Sequence, residues 1–148
     1  MTIIERLDHD LKIALVGGDK IRVTTLRSLK NALIYAKVAS QTHELSDEEM
    51  LDVLAKEAKK RQESADIYAG AQETTRCQQE LMEKQIIEEY LPRQLTREEV
   101  SELISKVING LPDNQRSLGV IIDSVKQQTK GQADGAMIAV MVKEKLGV

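Results

Sequence analysis

The sequence predicts an all-α fold, an N-terminal four-helix bundle-like domain followed by a small three-helix C-terminal domain. Three observations predict it. Of 148 residues only three are aromatic, all Tyr, with no Phe or Trp. Strands draw on aromatic and β-branched residues, whereas Leu, Ala, Glu, Lys and Gln serve helices. Apolar residues recur at intervals of three and four through most of the chain, the spacing that places them on one helical face. The pattern Ser/Thr-x-x-Glu, which lets a side chain and a backbone amide cap each other at a helix start, occurs at Thr2, Ser46 and Thr96.

The first helix is expected over about Ile3 to Leu15, with Ile4, Leu7, Leu11 and Ala14 on one face and Gly17-Gly18 as its stop. Asp19 opens a second helix carrying Leu26, Leu29, Leu33 and Ala36. A polar stretch from Ser40 to Leu45 closes it. Ser46-Asp-Glu-Glu49 starts a third, with Met50, Leu54, Ala58, Ala65 and Tyr68, interrupted near Gly70. The fourth runs from about Glu73 to Tyr90, with Cys77, Leu81, Ile86 and Tyr90 expected to be buried. Leu91-Pro92 is the main boundary, because proline disfavours helix in the residue before it. It divides an N-terminal domain, residues 1–92, from a C-terminal domain, residues 93–148. Thr96 starts a helix with Val100, Leu103, Ile104 and Val107, and Asn109-Gly110 ends it. Ser117 caps one with Leu118, Ile121, Ile122 and Val125. Asp134 caps the last, which runs to about Leu146. Four helices of this length can bury a core. Three short ones in about 50 residues are marginal alone.

Charge and composition exclude several functions. The net charge is −3. The first 92 residues hold 13 basic and 17 acidic residues and the remainder 8 and 7, so the halves carry −4 and +1. The few rings argue against recognition by base stacking. A single cysteine, Cys77, forms no intramolecular disulfide and no cysteine-based zinc cluster. No stretch reaches the roughly 18 apolar residues of a membrane span, and the first residues lack the apolar core of a secretory leader. The location expected from these features is cytoplasmic.

No catalytic site, cofactor or metal is expected. His9 and His43 lie far apart without a ligand partner at metal spacing. The acid pairs Glu48-Glu49 and Glu98-Glu99 stand in first turns, where capping and the helix dipole account for them. Glu88-Glu89 are helix neighbours that point about 100° apart, unlike carboxylates opposed across a cleft. Gly17-Gly18-Asp19-Lys20 lacks the strand, the glycine spacing and the hydroxyl of a phosphate loop. Lys59-Lys60-Arg61, flanked by Glu57 and Glu63, is a solvated face.

Two features of the tail remain. Lys126 and Lys130 share a helical face, with Lys143 and Lys145 on the next helix, and such a patch suffices to contact phosphates. Ala136 to Val142 is an unbroken apolar run covering the full circumference of its helix. Such a helix is buried on all sides. Alternatively, Met137, Val140 and Met141 form an exposed patch that receives a protein partner.

Several strings occur in a telling order: Thr25-Leu-Arg-Ser-Leu-Lys-Asn-Ala-Leu33, Leu45-Ser-Asp-Glu-Glu49, Glu88-Glu-Tyr-Leu-Pro-Arg-Gln-Leu95, Lys130-Gly-Gln-Ala-Asp-Gly135 and Val142-Lys-Glu-Lys-Leu146. Together they resemble the YqeY-like family over nearly the whole chain. The Tyr-Leu-Pro-x-Gln-Leu and Lys-Gly-x-Ala-Asp-Gly strings are the specific ones. The resemblance implies a helical bundle followed by a small helical domain similar to the tail of the B subunit of the aspartyl/glutamyl-tRNA amidotransferase. In that enzyme the tail helps hold tRNA and amide transfer happens elsewhere. Any link to carbon–nitrogen ligase chemistry thus rests on a shared domain alone. The implied function is a non-catalytic adaptor that binds tRNA, or a protein complex of tRNA amidation or translation, through Lys126, Lys130, Gln132, Lys143 and Lys145. The rival reading is a protein–protein module using the apolar last helix. The signature also has a structural reading, since Gly131 can end one helix and Asp134 can cap the next. One departure stands out: the family tends to place a basic residue directly after the glycine at Gly119, and here it is Val120.

Overall fold

In a computed structural model, which describes residues 1–41 and 44–148, the chain is all-α, with no strand among the described residues. The helices are α1 (Ile3–Gly17), α2 (Lys20–Ser40), α3 (Asp47–Gly70), α4 (Thr74–Glu88), α5 (Arg97–Gly110), α6 (Leu118–Thr129) and α7 (Gly135–Leu146). A 3-10 turn at Asp113–Gln115 joins α5 to α6. The chain divides into two compact units, Met1–Leu91 and Pro92–Val148.

Local chemistry sets most helix ends. Complete capping boxes form at Thr2, Ser46 and Thr96, each pairing its hydroxyl and amide with the glutamate three residues on. Each such cap is worth about 1 kcal/mol. Asp19, Ser117 and Asp134 accept single capping bonds. Gly18, at φ +70°, closes α1 in the left-handed region that glycine enters without steric cost.

In the first unit, α1 packs on α2 and α3 packs along α4, with α2 lying against both helices of the second pair. Leu7, Leu26, Leu29, Leu33, Leu54, Ile87 and Tyr90 are the large buried residues of its core. A fully buried Leu contributes about 1.5–3 kcal/mol. The apolar cluster reaches Ala58 on α3 and Ile86 on α4 and is bounded there by an ionic layer. Arg61 bonds Ser28 Oγ of α2 at 2.9 Å and Glu57 at 3.1 Å, and lies 3.6 Å from Glu83 of α4. Arg61 is therefore not part of a solvated face, because three helices converge on its guanidinium. Glu83 is buried and Leu81 is 36% exposed, the reverse of the apolar expectation for α4. Beyond this layer α3 continues along α4. Ala65 is buried there, Lys84 bonds Gln62 at 2.8 Å, and Arg76 lies over the Tyr68 ring.

The end of α4 is tied to the first hairpin by a second polar cluster. The Tyr90 hydroxyl donates to Asp10, Arg6 stacks on the Tyr90 ring at 4.4 Å and donates to the Glu89 carbonyl, and Arg22 grips the Glu89 carboxylate with two bonds. Burial, and then the bond to Asp10, push the Tyr90 hydroxyl above its usual ionisation range.

The second unit has its own aliphatic core: Val100, Ile104, Val107, Ile121, Val125, Ile138, Met141 and Val142. Thr129, its buried polar residue, returns its hydroxyl to the Val125 carbonyl. The last helix is buried on one side only. Ile138, Met141 and Val142 face the core, while Ala136 and Val140 face outwards. An apolar run long enough to circle a helix therefore does not place it at the centre of the unit, because α5 and α6 cover one face.

Candidate functional site

The two signature strings form one structure. The Leu95 amide donates to the Gln132 carbonyl at 2.8 Å. The Gln94 side-chain amide donates to the Gly131 carbonyl at 2.9 Å and to the Pro92 carbonyl at 3.0 Å. Gly131 sits at φ +78°, and a Cβ there would meet the Pro92 ring at 3.7 Å. Pro92-Arg-Gln-Leu95 is thereby fastened to the α6–α7 turn across 37 positions of sequence. At the same corner Arg93 forms two bonds to Glu99, at 3.1 and 2.7 Å, which hold that carboxylate well below its usual range, at about 2. The strings have a structural task, then, with Gly131 as the left-handed residue after α6 and Asp134 as the cap of α7.

This corner presents part of the expected basic surface. Lys126 and Lys130 are exposed. Lys130 stands just beyond the last turn of α6, with the backbone already out of helical geometry (φ 3°, ψ 86°). The side chain of Lys126 crosses the first residue of α7, since a Cβ on Gly135 would lie 3.1 Å from its Cε. Gln132 is half-buried and its carbonyl is taken by Leu95.

Lys143 and Lys145 lie elsewhere. They occupy the last turn of α7, eight and ten residues from Gly135, which is about 12–15 Å along the axis. Lys145 donates to Ser105 on α5 at 2.6 Å. It borders an open groove of about 420 Å3 between α5 and α7, lined also by Arg97, Glu98, Glu102, Met141 and Glu144. Carboxylates outnumber cations there, and Arg97 approaches Glu144 at 3.7 Å. The tail lysines thus divide: Lys126 and Lys130 stand at the α6–α7 turn, Lys145 lies in mixed charge, and Lys143 is exposed on the last turn of α7. Helix C-termini also favour cations, so Lys126, Lys143 and Lys145 stabilise their own helices by about 0.3–1 kcal/mol each.

The expected partner patch on α7 is corrected by burial. Met141 is 5% exposed and belongs to the core, Met137 is half-buried against it, and Val140 is 52% exposed. Positions 138, 141 and 142 follow the i, i+3, i+4 rule of a single face, which a uniformly apolar run conceals. The exposed apolar residues of α7 are Ala136 and Val140, with Met137 half-buried between them and the core.

Among the described residues no group of three or more His, Cys, Asp or Glu side chains is placed to hold a metal ion. His9 is exposed and His43 lies outside the described residues. Cys77 is half-buried on α4. No described helix is long and apolar enough to cross a membrane.

What these features define is a helical protein in two units, its signature spent on joining an extended segment to a helix turn beside two exposed lysines. The chain belongs to the YqeY-like family: the family model for Yqey-like proteins matches residues 4–146. It is similar to altered inheritance of mitochondria protein 41, mitochondrial, of Pyrenophora tritici-repentis, at 23% identity over 98% of this chain and 81% of that protein. It is also similar to the protein of the same name from Kluyveromyces lactis, at 27% identity over 78% of this chain and 63% of that protein. These relatives overturn the cytoplasmic location expected above, since both are named as mitochondrial. The expectation rested on the single cysteine and on the polar composition of the first residues. Both features suit a reducing mitochondrial compartment equally well.

Proposed function

We propose that this YqeY-like chain is a non-catalytic helical adaptor that engages tRNA, or a protein complex handling tRNA, through its C-terminal unit. Lys126 and Lys130 are the phosphate contacts. One observation carries the reading. Each arginine of residues 92–148 is held in an ion pair, Arg93 with Glu99, Arg97 with Glu144 and Arg116 with Asp113. Among the described residues, no carboxylate forms an ion pair with Lys106, Lys126, Lys130, Lys143 or Lys145 of the same unit. Exposed ammonium groups without a carboxylate are free to neutralise phosphates, and their weak directionality suits contacts to a backbone of any sequence. The relatives' names lead us to include mitochondrial tRNA among the partners.

The test is a titration of the purified chain with total tRNA at several salt concentrations. Binding should weaken steeply with salt, and Lys126→Glu with Lys130→Glu should lower the slope of log affinity against log salt by about two. Lys143→Glu with Lys145→Glu should have a smaller effect, because Lys145 already sits among carboxylates and bonds Ser105. Unchanged binding in the first double variant removes this surface from the proposal. Amide transfer by the purified chain alone would refute the non-catalytic reading.

A further inference from the structure

We propose that Gly135 is a positioning residue for Lys126: its missing side chain leaves a shelf on which the lysine stem lies, so that the ammonium is held in place before a ligand arrives. This inference rests on the tRNA reading of the α6–α7 corner and deepens it.

The backbone does not require glycine at position 135. Gly18, Gly131 and Gly147 occupy the positive-φ region, whereas Gly135 has ordinary helical geometry as the first residue of α7. Glycine is the poorest helix former apart from proline, so its presence there is a local cost with no backbone return. Space supplies the reason. A Cβ at Gly135 would stand 3.1 Å from Lys126 Cε and 3.5 Å from Nζ, and Lys126 is the one neighbour it would meet within 4 Å. The first distance is closer than ordinary carbon contacts, so any side chain at 135 must displace the lysine. The other helical glycines differ. Cβ atoms at Gly17, Gly70, Gly110 and Gly119 would meet nothing within 4 Å.

The consequence for binding is entropic. A free lysine loses much of its rotamer freedom when its ammonium settles on a phosphate. A stem already laid across a helix turn loses less, and its contact is correspondingly stronger. Alanine shifts the stem by a few tenths of an ångström, while leucine covers the shelf, so the effect should be graded.

The experiment compares wild type with Gly135→Ala and Gly135→Leu, each also in a Lys126→Ala background, with Gly119→Ala as control. Three readouts are taken: melting temperature, acylation rate of Lys126 followed by peptide mass, and tRNA affinity. Gly135→Ala should melt at or above the wild-type temperature, since alanine is the better helix former. Acylation of Lys126 should nevertheless rise in the order Gly, Ala, Leu as the stem is released. Affinity for tRNA should fall in the same order, by up to the loss that Lys126→Ala itself causes, and Gly135→Leu should add nothing in the Lys126→Ala background. Gly119→Ala should change neither acylation nor affinity. Unaltered Lys126 acylation in Gly135→Leu overturns the positioning role. So does an affinity loss in Gly135→Leu that persists without Lys126. If wild type binds no tRNA, the proposed function fails, while the acylation series still decides whether Gly135 places the lysine.

Discussion

The two units are held together by different means. The first buries an ionic layer at the edge of its core, where Arg61 meets Glu57, Glu83 and Ser28 from three helices. It also ties the end of α4 to α1 and α2 through Arg6, Asp10, Arg22, Glu89 and Tyr90. The second unit keeps its core aliphatic and fastens its first residues to the α6–α7 turn with backbone and amide bonds. The comparison teaches which charges are available. Where guanidinium and carboxylate groups hold helices together, they cannot also serve a ligand. Where hydrogen bonds between loop and turn do that work, Lys126 and Lys130 stay exposed, without a carboxylate partner among the described residues.

The contrast can be broken most directly in the aliphatic core. Met141→Asp places a carboxylate among Ile104, Ile138 and Val142 and should cost more than about 3 kcal/mol, melting the second unit by circular dichroism. Val140→Asp, one residue away on the outer face, should stay within about 0.5 kcal/mol. If the two variants behaved alike, the one-sided burial of α7 would be wrong.

Arg61→Met is expected next. It leaves Glu83 without its cation and Glu57 with Lys60 alone, and should cost about 2–4 kcal/mol in urea unfolding of the first unit. Glu83 sharpens the point through pH. Burial, and then the neighbouring Glu80, raise its carboxyl above the ordinary value. The folded state therefore holds the proton more tightly than the unfolded chain, and stability falls as pH rises from the unfolded value through the folded one. Glu83→Gln should remove that decline and leave the protein at least as stable near neutrality. A steeper decline would mean that ionised Glu83 is a net stabiliser of the layer.

Gly131→Ala forces a side chain into the left-handed region and should cost about 1–2 kcal/mol, with no loss of any contact to Pro92. The smallest effect belongs to Glu99. Its folded value of about 2 lies below the unfolded one, so its contribution is present above the unfolded value and is lost as pH falls from there towards 2. Glu99→Gln should flatten this acid limb by lowering stability slightly at neutral pH, where the contribution is present, and leaving it unchanged near pH 2. An unchanged acid limb would mean that the Arg93–Glu99 pair has no influence in solution.

Much of this architecture was legible in advance. The three capping boxes involve residues three apart, and the helix faces follow from spacings of three and four, so both are local properties of the chain. The site was legible only in part. The lysines could be named, but not divided, because the division depends on Ser105 and on the acids of α5 lying beside Lys145. Glu83 and Arg61 were missed for the same reason. A charged residue in a charged run reads as surface until another helix arrives to cover it. The one available signal was the interruption of the apolar stripe of α4 at Glu83, between Leu81 and Ile86.

By itself, then, the sequence determined where helices begin and end, the family, and the scarcity of aromatic rings. These depend on interactions within one or two turns and on residue type, which the chain carries wherever it folds. Only the tertiary structure decided that Met141 belongs to the core and Val140 to the surface. It also decided that Gln94 and Leu95 would hold Gly131 and Gln132, and that Lys126 would lie across Gly135. Each of these joins groups that sequence spacing alone does not bring together, and only the packing of α5, α6 and α7 around one shared core does so.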